Sequence, residues 1–203
     1  MKRYLLLLPA LLIGFSTLAQ TPVRSGIRGG LSVSNLRVNE ASDRNPRYGF
    51  HIAAFTQLPV IPEFLSIQPE LGYTTKGTTA TFNLPDFSGK NTFKLNYLEL
   101  PVLATFHIGD FVDIHAGPYV GYLLNAKLDT KSNWGNGSRD LNTDDFHRFD
   151  YGLGAGLTLY FGKVLVGTRY NLGLQKLADS YAADRILGKA KNTSAQVSVG
   201  VTF

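Results

Sequence analysis

The side chains that could do chemistry in this chain are four histidines, His51, His107, His115 and His147, set among 15 acidic residues with no cysteine anywhere. The lack of thiols removes disulfides, thiolate metal sites and cysteine nucleophiles together. Zinc needs three or four ligands, and the histidines show no His-Xaa-Xaa-His or comparable spacing, so no metal and no cofactor is expected. Asp140, Asn142 and Asp144 copy the start of a calcium loop, but Asp145 takes its glycine position and Tyr151 the position of its bidentate glutamate. A solvated acidic loop is the better reading. Ser32, Ser66 and Ser198 have no nucleophile elbow around them, and Gly152, Gly154 and Gly156 follow strand parity rather than a phosphate-cradling turn. No enzyme is expected. The one close pairing the order of residues suggests is His107 with Asp113, which face each other if the turn between their strands has three residues.

The elements that must carry these groups begin after a leader. Lys2 and Arg3 precede an apolar stretch from Tyr4 to Ile13, and Thr17-Leu18-Ala19 offers a small-residue cleavage site before Gln20. Residues 1–19 read as a secretory signal peptide, too short in its apolar run for a spanning helix, with one domain over residues 20–203. The formal charge of +5 falls to +3 once Lys2 and Arg3 go with the leader, so nucleic acid is not an expected partner.

Beyond Gln20 the pattern is period two. Val197, Val199, Val201 and Phe203 alternate with Gln196, Ser198, Gly200 and Thr202; Tyr151 to Phe161 and Val164 to Leu174 alternate likewise around Gly162-Lys163. Further strands are predicted at Gly26 to Ser34, Arg47 to Leu58, Phe64 to Lys76, Thr92 to Ile108 and Val112 to Leu124, making eight. Short connections at Pro59 to Glu63, Gly109 to Phe111 and Gly162-Lys163 alternate with long polar ones at Asn35 to Pro46, Gly77 to Asn91, Asn125 to His147 and Lys176 to Lys191. This predicts an all-β fold, an eight-stranded antiparallel transmembrane β-barrel of up-and-down topology, in the cell outer membrane with its long loops outside the cell. Phe64, Phe111, Phe161 and Phe203 would form one aromatic girdle; Tyr48, Tyr73, Phe93, Tyr122, Tyr151 and Tyr170 would form the other.

Parity turns Arg28, His51, Glu70, Glu99, His107, Asp113, His115, Tyr119, Tyr160 and Arg169 into the barrel. Eight strands leave an interior just wide enough for side chains, with inward glycines making room. Arg28, Glu70, Glu99 and Arg169 are therefore expected to form a charge network that plugs the lumen, with Arg169 as the partner of Glu99. Pro69, Pro101 and Pro118 fall inside strands, where bulges are expected to accommodate them.

Several segments, in order, resemble the PorT-like family of porin-like outer-membrane β-barrels from Bacteroidetes-type bacteria: Gln68-Pro69-Glu70-Leu71-Gly72-Tyr73, Tyr97-Leu98-Glu99-Leu100-Pro101, Gly117-Pro118-Tyr119-Val120-Gly121-Tyr122, Asp150-Tyr151-Gly152-Leu153-Gly154-Ala155-Gly156 and Arg169-Tyr170-Asn171-Leu172-Gly173-Leu174. The terminal Phe203 resembles the signal by which such barrels are read by the barrel assembly machinery. The expected role is structural or surface-interaction, exposed through the four long loops of a barrel in outer-membrane lipid, with the external partner open. A narrow porin or a secretion accessory is the alternative within this class, and a soluble periplasmic lipocalin-like barrel the alternative outside it.

Overall fold

The computed structural model describes residues 23–37, 44–84, 87–133, 135–143, 146–176 and 190–203; the signal peptide and its cleavage site lie outside them. Nine strands follow in chain order: β1 (Arg24–Arg37), β2 (Arg44–Ile61), β3 (Leu65–Leu84), β4 (Phe87–Ile108), β5 (Val112–Ser132), β6 (Gly135–Leu141), β7 (Phe149–Phe161), β8 (Val164–Lys176) and β9 (Lys191–Thr202). Every neighbouring pair is antiparallel, and β1 pairs with both β2 and β9, so the sheet closes. Eight strands form the ring, because β7 takes its place beside β5 below β6 while β6 pairs only with the distal third of β5.

Period-two alternation builds the wall. On β5, β7 and β8 buried and exposed residues alternate for most of the strand. The exposed set is apolar, including Ile27, Leu31, Ile52, Leu71, Leu100, Leu153, Val166 and Val199, and the buried set is largely polar or charged. That is a barrel turned inside out relative to a soluble one, as lipid requires. Glycines supply the interior space: a Cβ on Gly152 would stand 2.8 Å from the Tyr119 ring, and one on Gly156 2.8 Å from His115 Nε2.

Three short turns gather at the end of the barrel where β1 begins and β9 ends. Gly109 and Gly162 take positive φ there, at 61° and 65°, and Phe203 N–H donates to Ser25 O at 3.0 Å. At the other end the strands run on well past the lipid-facing residues. The predicted loop Gly77 to Asn91 is instead a continued hairpin, paired as far as Leu84 with Phe87, and Asn125 to His147 contains the end of β5 and all of β6. The polar run Gly77 to Phe82 reads as loop in the sequence because it lacks an apolar face. Above the membrane a strand needs none, and its threonines favour extended backbone. The strands flanking Asn35 to Pro46 also reach further than predicted, with β1 running to Arg37 rather than Ser34 and β2 starting at Arg44 rather than Arg47.

Pro69, Pro101 and Pro118 are accommodated without bulges. Each keeps register with one neighbour (Pro69 with Val102, Pro101 with Tyr119, Pro118 with Leu153) and interrupts the ladder only toward its other neighbour, so the missing N–H costs one local gap and no shift. The register shifts fall elsewhere, between Pro46 and His51, Pro59 and Ile61, Asn96 and Tyr97, and Leu172 and Lys176.

Both aromatic sets lie at the ends of the lipid-facing surface, with one correction. Phe64, Phe111, Phe161 and Phe203 are exposed at the short-turn end, and Tyr48, Tyr122, Tyr151 and Tyr170 toward the other. Tyr73 packs on Phe50 with ring centroids 5.7 Å apart. Phe93 leaves the girdle, because it shares the parity of Leu95 and Tyr97, both completely buried on the inner face.

Candidate functional site

The lumen is filled by two charged triads stacked along its axis, both hung on β3. Below, Glu70 is shared by two arginines: Arg28 Nη2 donates to its carboxylate oxygens at 2.6 and 2.7 Å, and Arg169 donates bidentately through Nη1 and Nη2 at 2.7 Å each. Gln68 Nε2 adds a third partner at 2.6 Å, and Arg169 Nε reaches His115 Nε2 at 3.3 Å. This ties β1 and β8 to β3 across the barrel. Only a cavity of about 20 Å³ opens beside Arg28, His51, Glu70, Glu99 and Arg169, roughly the space of a single water.

Above, the polarity is reversed. Lys76 Nζ lies 2.6 Å from Glu99 Oε1 and 2.9 Å from Asp150 Oδ2, with the Tyr119 ring centroid 4.5 Å away and the Tyr97 ring centroid 5.3 Å away. Asn192 Nδ2 donates to the same Asp150 oxygen at 3.1 Å. The six charges balance, two arginines and a lysine against three carboxylates.

Of the four residues predicted to form the network, the structure joins Arg28, Glu70 and Arg169 and separates Glu99, whose partner is Lys76 rather than Arg169. Sequence reasoning missed Lys76 and Asp150. Lys76 shares the face of Glu70, and Asp150 that of the glycines at 152, 154 and 156, but each lies at or beside the end of its predicted strand, where parity alone does not assign a side. His107 does face Asp113 across a three-residue turn, with Nδ1 2.6 Å from Oδ1. Among the described residues no group of three or more His, Asp or Glu side chains is placed to hold a metal ion.

Over the upper triad sits an apolar cap of Leu36, Leu95, Tyr97, Leu123, Ala126, Phe146 and Ala190, with Leu141 packed against it. It packs at the long-loop end of the lumen.

The outer face changes character sharply at one level. Leu98 and Leu100 on β4, and Val120, Tyr122 and Leu124 on β5, are exposed and apolar. Asn96 Nδ2 then donates to Asn125 Oδ1 at 2.6 Å, and above that pair the same face carries Lys94 opposite Lys127 and Lys90 opposite Lys131. Within this lysine face, Asp129 is bonded by Lys94 and accepts from Ser138 Oγ at 2.7 Å, and those hydrogen bonds hold its carboxyl below the ordinary carboxylate range. Asp140, from the rejected calcium loop, lies in β6 at 3.2 Å from Lys127; Asp144 and Asp145 lie outside the described residues.

A closed ring with an apolar outside, a charged inside, girdles at both ends and short turns opposite long ones defines an integral outer-membrane β-barrel. Residues 18–179 match the outer membrane protein beta-barrel domain family, and the chain belongs to it. No curated protein matches the chain in sequence. Among solved structures it is similar to Ail, the attachment invasion locus protein of Yersinia pestis, in complex with the heparin analogue sucrose octasulfate: 16% identity, TM-score 0.54, covering 90% of this chain and 100% of that one. A second Ail structure gives 14% identity and a TM-score of 0.51 over 89% and 98% of the two chains. Neisserial surface protein A is 12% identical, with a TM-score of 0.47 over 89% and 97%.

Proposed function

We propose that this barrel serves as a surface-interaction protein whose working part is the extracellular extension of β3, β4, β5 and β6, and that its lysine face binds a polyanionic glycan. Lys94 and Lys127 already have Asp129 and Asp140 as partners, so the observation that carries this reading is the direct cross-strand pairing of Lys90 with Lys131. Like charges placed opposite each other destabilise a sheet, so the arrangement is better explained by an anion that bridges them. The crystallised complex of Ail with a heparin analogue supports the same ligand class. Such a role needs no catalysis, and the filled lumen argues for a non-conducting barrel rather than a narrow porin. Within the family, the motifs around Pro69, Pro101 and Pro118 support a PorT-like placement; Phe203, exposed at the end of β9, serves in this reading as the signal for the barrel assembly machinery.

The test is elution of the folded chain, in detergent, from immobilised heparin. Lys90→Glu with Lys131→Glu should elute at clearly lower salt than wild type, since screened surface attraction carries the binding. Unchanged elution of that variant would remove the lysine face as the binding surface.

A further inference from the structure

The short-turn mouth of the barrel, at the opposite end from the lysine face, holds a constellation that the interaction role leaves unused. We propose that Ser66, His107 and Asp113 form a nucleophilic triad that hydrolyses small neutral carboxylic esters. Ser66 Oγ lies 2.7 Å from His107 Nε2, and His107 Nδ1 lies 2.6 Å from Asp113 Oδ1. The other Asp113 oxygen accepts from Gln57 Nε2 at 2.7 Å and lies 3.9 Å from Arg24 Nη1, so this carboxylate is fixed on both sides.

Register alone assembles the three. Ser66 stands opposite Thr105 on β4, which makes it a diagonal neighbour of His107, and His107 stands opposite Asp113 on β5. All three point inward from consecutive strands. No nucleophile elbow is needed, because the strand pairing provides the order of contacts that an elbow provides elsewhere. Ser66 and His107 line a cavity of about 700 Å³ together with Arg24, Gln57, Glu63 and Asp110. That volume suits a small organic molecule. The acids Glu63 and Asp110 on its lining disfavour anionic substrates, and Arg24 offers positive charge to a developing oxyanion.

With Nδ1–H donated to Asp113, His107 Nε2 accepts the Ser66 proton as Oγ bonds to the ester carbonyl carbon. The carbon–oxygen bond to the alcohol then breaks, and His107 returns that proton to the departing alkoxide. Water adds to the acyl-serine, gives its proton to His107, and the acid leaves as Ser66 Oγ recovers the proton. Ester and water become acid and alcohol, with no further reactant.

The experiment uses the full mature chain folded in detergent, its fold verified by compact gel mobility without heating. A fluorophosphonate probe should attach covalently to Ser66, located by peptide mass spectrometry, and p-nitrophenyl butyrate should be hydrolysed above the buffer rate. Ser66→Ala removes only a hydroxyl and should abolish both. His107→Gln should lower hydrolysis at least about 100-fold. Asp113→Asn, which acts through His107, should change the pH profile of the rate as well as its height. A hydrogen-bonded spacer serine would remain unmodified in folded wild-type protein, and that result, or hydrolysis unchanged in Ser66→Ala, overturns the proposal. Neither readout depends on heparin binding, so each proposal can fail alone.

Discussion

The two triads in the lumen solve one problem with opposite stoichiometry. Around Glu70 one carboxylate serves two guanidinium groups; around Lys76 one ammonium serves two carboxylates. The residues at their centres lie six positions apart on the inner face of β3, roughly 20 Å of strand. The difference follows from the donors. A guanidinium is a planar fork that can engage a carboxylate through two parallel bonds, as Arg169 does, whereas an ammonium is a point charge whose donors can go to several acceptors at once. Each triad carries an unbalanced unit charge and the two offset, so the stack is neutral although neither layer is.

The largest effect should come from removing either centre. Glu70→Gln leaves Arg28 and Arg169 facing each other without a counter-charge and should cost about 3 to 5 kcal/mol of barrel stability, as for other broken buried pairs. Lys76→Met leaves Glu99 and Asp150 together at a similar cost near neutral pH. The two variants should then part on acidification. Carboxylates can be neutralised by protons and guanidinium groups cannot, so the Lys76→Met defect should shrink as pH falls toward the carboxylate range while the Glu70→Gln defect persists. Urea unfolding in micelles across that range, read by gel mobility, makes the comparison; parallel pH curves would mean that the triads do not differ in this way.

Next in size is the apolar cap above them. Phe146→Ala removes a buried ring from the cluster with Leu36, Leu95 and Leu123 and should cost on the order of 3 kcal/mol. Vesicles containing this variant should still block sugar flux, because both triads below the cap are intact. Rapid flux would transfer the closure of the lumen from the triads to the cap.

What the sequence showed and what it hid follow the same division. The wall was legible because lipid imposes strict alternation: Arg28, Glu70, Glu99 and Arg169 could be turned inward from parity alone, and all four are buried. Their partners were not legible. In the β3–β4 register Glu99 stands opposite Gly72 and Lys76 opposite Leu95, so the two meet only through the reach of their side chains, and no periodicity states which of several inward charges will come level across a tilted ring. The extension above the membrane was hidden for the opposite reason. Outside lipid the alternation relaxes, so Thr78 to Phe82 and Gly135 to Leu141 look like loop although they pair as strands. Ser66 was visible as an inward serine, but its contact with His107 depends on a diagonal across two strands.

Smaller effects test the pairing itself. A double-mutant cycle on Glu70 and Arg169 should give a coupling of roughly 0.5 to 3 kcal/mol, as for residues in one network, whereas a cycle on Glu99 and Arg169 should be additive to within about 0.5 kcal/mol. The reverse order would restore Arg169 as the partner of Glu99 and contradict the observed stack.

The smallest effect belongs to the extension, where the charges meet water instead of each other alone. Asp129 has its carboxyl held below the ordinary carboxylate range by hydrogen bonds from Lys94 and Ser138. A group whose folded value lies below its unfolded one stabilises fully above the unfolded value, and that contribution is lost as pH falls through the folded value. Acidification below about pH 4 should therefore loosen β5 against β4 and β6 above Asn125, raising amide exchange there while the barrel wall is unaffected. Because Asp129 is only half-buried and its pair with Lys94 is in contact with water, the contribution should stay below about 1 kcal/mol. Asp129→Asn should remove this acid step, and by freeing the Lys94 charge it should also move elution from heparin to higher salt. An acid step that survives the substitution would assign it to another group. Lower-salt elution would show instead that Asp129 helps to arrange the lysines for their ligand.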